Sequence, residues 1–338
     1  ASQTRLFAIG GDTNRVLNHQ NLGVQRTQDW MQHHVVFNSL GAEQVNLYCG
    51  VWGAGSGRLW MDDFVIEESP LVNVVQRSGC PLTIVRENGK PLKASVDYRP
   101  LVDSRMVELA NGGDFEVYHA PPTIELLPAA ALNDGDRLKV SFYHAVSIYD
   151  GQVPASLTEP ASFAWFEHQI DGVDKLLTPE RYFFSHDEIR VANWSATETA
   201  ASKTAGEVLA GNVARCAEIV RRRNPQAKLC VWSDMFDPHH NARDDFYLVH
   251  QTLAGSWEGL PRDMLIINWN SGEPAKSTRF FADRGHEQVL AGYYDAPVEH
   301  IRDWLAASRG QKVVGVMYTT WQDNFRDLEA FAKVAWGE

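Results

Sequence analysis

The stretch RYFFSHDEIR, residues 181–190, ends an aromatic, strand-like run in three ionisable side chains: His186, Asp187 and Glu188. Two carboxyl groups in different environments, one protonated and one ionised, are what cleavage of a glycosidic bond requires. Neighbours in sequence cannot easily straddle such a bond as nucleophile and acid. Their natural joint use is that one donates a proton while the other steadies a group on the same side of the sugar. A helix N-cap with a solvated neighbour is the plainer alternative for the pair. The sequence weighs against it by repetition, because polar or aromatic residues close most of the later strand-like runs as well. They are His144; Trp232 and Asp234; Trp269; Tyr293, Tyr294 and Asp295; and Trp321 and Asp323. A single Trp is ordinarily core. Three at corresponding strand ends favour flat platforms for a sugar ring. Strand alternation sends one of Tyr293 and Tyr294 toward the site and the other away, without saying which. The loop FDPHHNARDD, residues 236–245, reads as a polar site loop in which Asp237 or His239 touches substrate. Its spacing matches no standard metal motif, and neither metal nor cofactor is expected.

These residues need elements to hold them. The chain has 338 residues, 44% of them hydrophobic, enough for about two domains. Residues 1–130 read as β: short runs such as LFAIGG, QVNLYCGVW, PLTIV and TIELLPAA are separated by Gly, Asn, Asp and Pro. A sandwich or jelly roll is expected there. Residues 131–338 change period. Strand-like runs at 136–145, 181–188, 227–234, 263–270, 287–296 and 311–321 each precede a helical pattern, giving six β-then-α units. A short helix is expected over residues 242–253, and a long one ending at Asn224-Pro225. Such alternation fits a doubly wound sheet or a (β/α)8 TIM-type barrel. The barrel is favoured, because it collects every C-terminal strand end around one site, and no GxGxxG turn follows the first strand. Six units against the eight of a barrel predict that the first two strands lie upstream of residue 1, with the sandwich inserted after an early strand.

Composition removes other classes. A net charge of -12 without a long basic run argues against nucleic acid or an anionic membrane surface. No stretch approaches the roughly 20 apolar residues of a membrane span. The four cysteines are scattered without CxxC spacing, and buried free thiols are the favoured reading. Eleven Trp and ten Tyr exceed ordinary packing needs and suit a carbohydrate cleft.

The strand-end residues make this half of the chain, about 136–336, resemble the family 20 glycoside hydrolases, the β-N-acetylhexosaminidases. The segments TQDWMQHHVVFNS and SGRLWMDDFVIEE resemble the closing strands of a carbohydrate-binding-module-like jelly roll. The family resemblance implies a retaining, substrate-assisted mechanism in which the sugar's 2-acetamido oxygen attacks C1. It implies Asp187 as the acetamido stabiliser and Glu188 as the acid/base. Trp232 and Trp269 then wall the acetamido pocket, Tyr293 holds the acetamido carbonyl, Asp295 and Asp323 bind sugar hydroxyls, Trp321 stacks under the ring, and His144 stands behind the site. The family's Gly-Gly before Asp-Glu is here Ser185-His186, so a reshaped pocket is expected, with His186 beside the substrate. The family's Arg on the first strand has no counterpart. An oligosaccharide or glycoconjugate is the implied partner, and an extracytoplasmic location the expectation. Two alternatives stay open: a glycosidase of other specificity using Glu188 with Asp234 or Asp323, and a non-catalytic carbohydrate-binding protein.

Overall fold

The computed structural model describes residues 4–11, 15–25, 27–52, 57–106, 119–149, 152–200 and 202–337. The chain divides into two compact units, one of residues 1–154 with 195–197 and one of residues 155–194 with 198–338.

The first unit is β-rich. Val16–Asn21, Thr4–Gly11 and Val45–Trp52 form a three-stranded antiparallel sheet in that order. Two small antiparallel pairs accompany it: Thr83–Arg86 with Leu138–Ser141, and Val74–Val75 with Tyr143–His144. Among the described residues this is no two-sheet sandwich. The segments expected to close a jelly roll are residues 27–39 and 56–68; residue 56 lies outside the described residues, the rest carry neither helix nor strand, and Trp30 and Trp60 lie exposed on them. Strand-like composition makes a strand only where a ladder of cross-strand hydrogen bonds forms, and the described residues of these segments form no such ladder. A core of Ile84, Leu92 and Tyr98 sits under the first antiparallel pair. Near the second, buried Asp103 accepts from the Val74 backbone N–H at 3.0 Å and faces the ring of buried His119 at 2.9 Å.

The run 136–145 therefore belongs to this unit and not to the parallel sheet. Its alternation gives the reason. Leu138–Ser141 is half-buried in a period of two, the pattern of an antiparallel strand with one wet face, whereas central parallel strands are apolar on both faces.

The second unit is α/β with a central parallel sheet. Its strands are β1 (Arg181–Phe184), β2 (Lys228–Trp232), β3 (Leu265–Asn268), β4 (Gln288–Leu290) and β5 (Val313–Val316). They pair in chain order, β1-β2-β3-β4-β5, all parallel. Among the described residues neither edge strand, β1 nor β5, pairs further. The helices are α1 (Pro160–Leu177), α2 (Ala205–Arg223), α3 (Pro274–Asp283), α4 (Glu299–Ala307) and α5 (Leu328–Trp336). Helix α2 starts on a capping box, with the Thr204 hydroxyl accepting from Glu207 N–H at 3.2 Å and Glu207 accepting from Thr204 N–H at 2.8 Å. Arg221–Arg223 lie in its last turn, where cations offset the helix dipole.

One face of the sheet lies under helices: Tyr182, Phe184, Leu229, Val231 and Ile266 pack with Leu209, Val213, Ile219, Val220 and Phe281. The other face carries only Cys230, Ile267 and Ala291, flanked by Trp232, Leu265, Trp269, Val289 and Met317. Gly259 permits a close approach to α2: a Cβ there would stand 2.0 Å from the Ala210 carbonyl oxygen. Residues 242–253 are not the expected helix. Asp245, Tyr247 and Gln251 take positive φ, and Leu248–Val249 instead pairs parallel with Val191–Ala192. All four cysteines are free, with Cys80, Cys216 and Cys230 buried. No described helix is long and apolar enough to cross a membrane.

Candidate active site

Strand β1 ends at Phe184, and the chain then turns sharply. His186 and Glu188 both take φ of 43°, a region that costs a non-glycine residue about 1–2 kcal/mol. The turn sends His186 toward the helix side, where its ring meets Asn212 Oδ1 of α2 at 2.9 Å. His186 therefore braces the turn from behind and does not face a ligand. Asp187 and Glu188 are left at the end of the sheet. Strain of this kind persists where surrounding contacts fix it, commonly at functional sites.

Those contacts converge on Asp234, fully buried just past the end of β2. Its Oδ2 accepts from the Glu188 backbone N–H at 2.9 Å and from Asn241 Nδ2 at 3.0 Å. Its Oδ1 accepts from Trp269 Nε1 at 3.3 Å. One carboxyl thus ties the ends of β1, β2 and β3 together. Asp187 lies near enough for its charge to act on the buried Asp234 carboxyl. Burial, and next the charge of Asp187, push Asp234 up to about 8. Burial, and next the charge of Glu188, push Asp187 up to about 6. Asp187 Oδ1 is buried and takes no donor.

Glu188 reaches the other way. Its Oε2 lies 2.5 Å from the guanidinium of Arg190, which is buried and lies over the Tyr247 ring at 5.5 Å. Sequence reasoning passed over Arg190, although two residues along an extended chain return to the same side.

Aromatic rings border the acids. Trp269 packs against Tyr294 at 5.7 Å, and Tyr294 stacks on Trp321 at 6.0 Å and 25°. Burial, and next the charges of Glu188, Asp187 and Asp234, raise the Tyr294 phenol well above its ordinary value. Tyr294 is therefore the tyrosine beside the acids. Tyr293 turns the other way, buried against Phe331 with its hydroxyl donating to Asp327 at 3.3 Å, and does not reach the site. Trp232 lies on the open face against Phe183, centroids 4.9 Å apart.

The remaining expected residues separate. Both oxygens of Asp295 are taken by the next loop: Oδ1 by the Thr320 hydroxyl at 2.6 Å and Oδ2 by the Trp321 N–H at 2.7 Å. Asp323 is exposed with φ of 49°. His144 belongs to the first unit. Asp237 is fully buried, accepting from the His239 N–H at 2.8 Å, from Asn270 at 3.2 Å and from Ser277, so it shapes the loop. The ring of His239 faces Phe280. The loop residues that reach the acid cluster are Asn241 and His240, whose ring meets Trp269 edge-on at 4.2 Å. Among the described residues no group of three or more His, Cys, Asp or Glu could hold a metal ion.

No protein-family model matches the chain, and no curated protein shows significant similarity to it.

Proposed function

We propose that the protein is a glycoside hydrolase acting on a 2-acetamido sugar, β-N-acetylhexosaminidase-like, by a substrate-assisted retaining mechanism. The observation that carries the reading is the donorless, buried Oδ1 of Asp187 beside Glu188 and the aromatic wall. An unsatisfied buried acceptor costs about 1–3 kcal/mol. An acetamido N–H brought to it recovers that cost and turns the acetamido oxygen toward C1.

In this scheme Asp187 accepts the acetamido N–H and stabilises the positive charge that develops as the acetamido oxygen bonds to C1. Glu188 gives its proton to the leaving-group oxygen as the C1–O bond breaks. It then takes a proton from the water that attacks C1 and reopens the ring. Proton donation requires the Arg190 ion pair to part, and the Glu188 side chain, 40% exposed, has room to move. Tyr294 takes the position beside the acetamido carbonyl that the family resemblance gave to Tyr293. Trp269 and Trp321 supply ring faces.

We further propose that the parallel sheet is part of a (β/α)8-type barrel. Strand order supports this. It follows the chain without the reversal that marks the switch point of a doubly wound sheet. The ends of β1, β2 and β3 meet at Asp234, as strand ends meet above a barrel.

The discriminating experiment compares an aryl β-glucoside with its 2-acetamido counterpart. The 2-acetamido substrate is expected to be cleaved about 100-fold faster or more, the scale of intramolecular nucleophilic assistance. Equal rates contradict substrate assistance and favour a two-carboxylate glycosidase. Sugar binding without turnover of either substrate favours a carbohydrate-binding protein.

A further inference from the structure

Trp321 poses a problem of its own. It is 69% exposed, yet the loop that carries it is held by a set of side-chain hydrogen bonds. Thr319 Oγ1 accepts from the Tyr294 N–H at 3.2 Å and donates to the Ala291 carbonyl at 3.0 Å. Thr320 Oγ1 accepts from the Asn324 N–H at 3.0 Å and the Gln322 N–H at 3.3 Å. At the centre is Asp295, whose two carboxylate oxygens take the Thr320 hydroxyl and the Trp321 backbone N–H. Tyr294 and Asp295 both hold φ of 52°, backbone strain that these bonds fix in place. A large indole held in water by a pre-ordered loop gains little from its own burial. Such an arrangement serves a ligand, because the ordering cost is met before binding.

We propose that Asp295 is a positioning residue that binds no sugar hydroxyl and instead locks the loop that presents Trp321, with Tyr294 stacked behind it, as a platform for the face of a pyranose ring. That the platform's ligand is a sugar rests on the glycosidase reading; that Asp295 fixes Trp321 does not. A carboxylate with both oxygens already engaged, one by a hydroxyl and one by a main-chain amide, must break the loop to accept a new donor. The sugar contact at this place is therefore the indole face and not the acid.

The test reads the loop directly, without ligand. The intact protein is labelled with 5-fluorotryptophan, and the 19F signal of Trp321 is assigned by its loss in Trp321→Phe. In the parent this signal is expected to be broad, at the width of a side chain tumbling with the whole molecule. In Asp295→Ala it is expected to narrow several-fold and move toward the position of free fluorotryptophan. Asp295→Asn keeps an acceptor for the Trp321 N–H and is expected to fall between them, which also decides the matter if the alanine variant does not fold. On a 2-acetamido glycoside, Asp295→Ala is expected to raise KM about 10-fold with kcat changed less than about 2-fold, the sign of lost uniform binding. Asp295→Ala/Trp321→Ala is expected to match Trp321→Ala alone. An unchanged Trp321 signal in both Asp295 variants overturns the proposal, as do additive losses in the double variant. A parent without glycosidase activity leaves the 19F result decisive for Asp295 and counts only against the sugar reading.

Discussion

Glu188→Gln is expected to lower kcat on a 2-acetamido glycoside with a poor leaving group by about 1,000-fold, within the range that general acid-base groups supply. The effect should depend on the leaving group. An alkyl glycoside needs the proton as the C1–O bond breaks and should lose the most. A nitrophenyl glycoside leaves unaided and should lose much less in the first step, so that intermediate breakdown limits its turnover. Gln keeps the shape of Glu and its backbone N–H bond to Asp234, so the turn at residue 188 should persist. The variant loses the charge opposite Arg190. Loss of an ion pair to a buried guanidinium is costly, and a fall of a few degrees in Tm is expected. Steady-state rates across a leaving-group series check the prediction. A uniform loss removes Glu188 from the acid role, and unchanged activity removes it from the site.

Asp234→Asn is expected to flatten the pH dependence of stability. In the parent the folded-state value of Asp234 lies above its unfolded one, raised to about 8 by burial and then by Asp187. A carboxyl raised in this way binds more protons folded than unfolded. Stability is therefore highest below about pH 4, its unfolded range, and falls as pH rises toward about 8, by an amount on the order of several kcal/mol. Asparagine has no charge to bury. The variant should lose most of this slope and be more stable than the parent near pH 8. The pH dependence of activity should follow Asp187. Asp187 must be ionised to accept the acetamido N–H, so the parent's acid limb is expected near pH 6, where burial and then Glu188 place that carboxyl. Asp234 holds its proton near pH 6 and puts no charge beside Asp187 there, so the limb is expected to stay in place in the variant. Denaturant titrations between pH 4 and 8, with kcat/KM profiles over the same range, test both effects. Parallel slopes show that Asp234 does not take up a proton on folding, and a shifted limb shows that its charge acts on Asp187.

The legible and illegible parts of this molecule divide along physical lines. The five runs that became β1–β5 read correctly because each precedes a helical pattern, and the central β2 and β3 are apolar on both faces. Helix α2 read correctly down to its Asn224 end because caps and periodicity agreed there. The grouping of Asp187, Glu188, Asp234 and Trp269 followed from strand ends alone. Parity failed where the strands stopped. With Tyr294 at φ of 52°, alternation no longer decides which tyrosine turns inward. His186 went behind the site for the same reason. The segment 136–145 was assigned to the parallel sheet on composition, while its alternation pointed to the antiparallel pair it forms. Asp295 was given a sugar by resemblance. Its partners Thr320 and the Trp321 N–H lie on another loop, and no local pattern announces them. Residues 27–39 and 57–68 have strand composition but form no strand ladder.

The most direct test of the central claim is calorimetric titration of the parent and Asp187→Ala with a GlcNAc-thiazoline, a stable mimic of the oxazolinium ion. The account predicts tight binding by the parent and a loss of about 100-fold or more in the variant, the scale of a charge-assisted hydrogen bond lost inside a site. A parent that does not bind, or a variant that binds as tightly as the parent, contradicts an acetamido-reading Asp187.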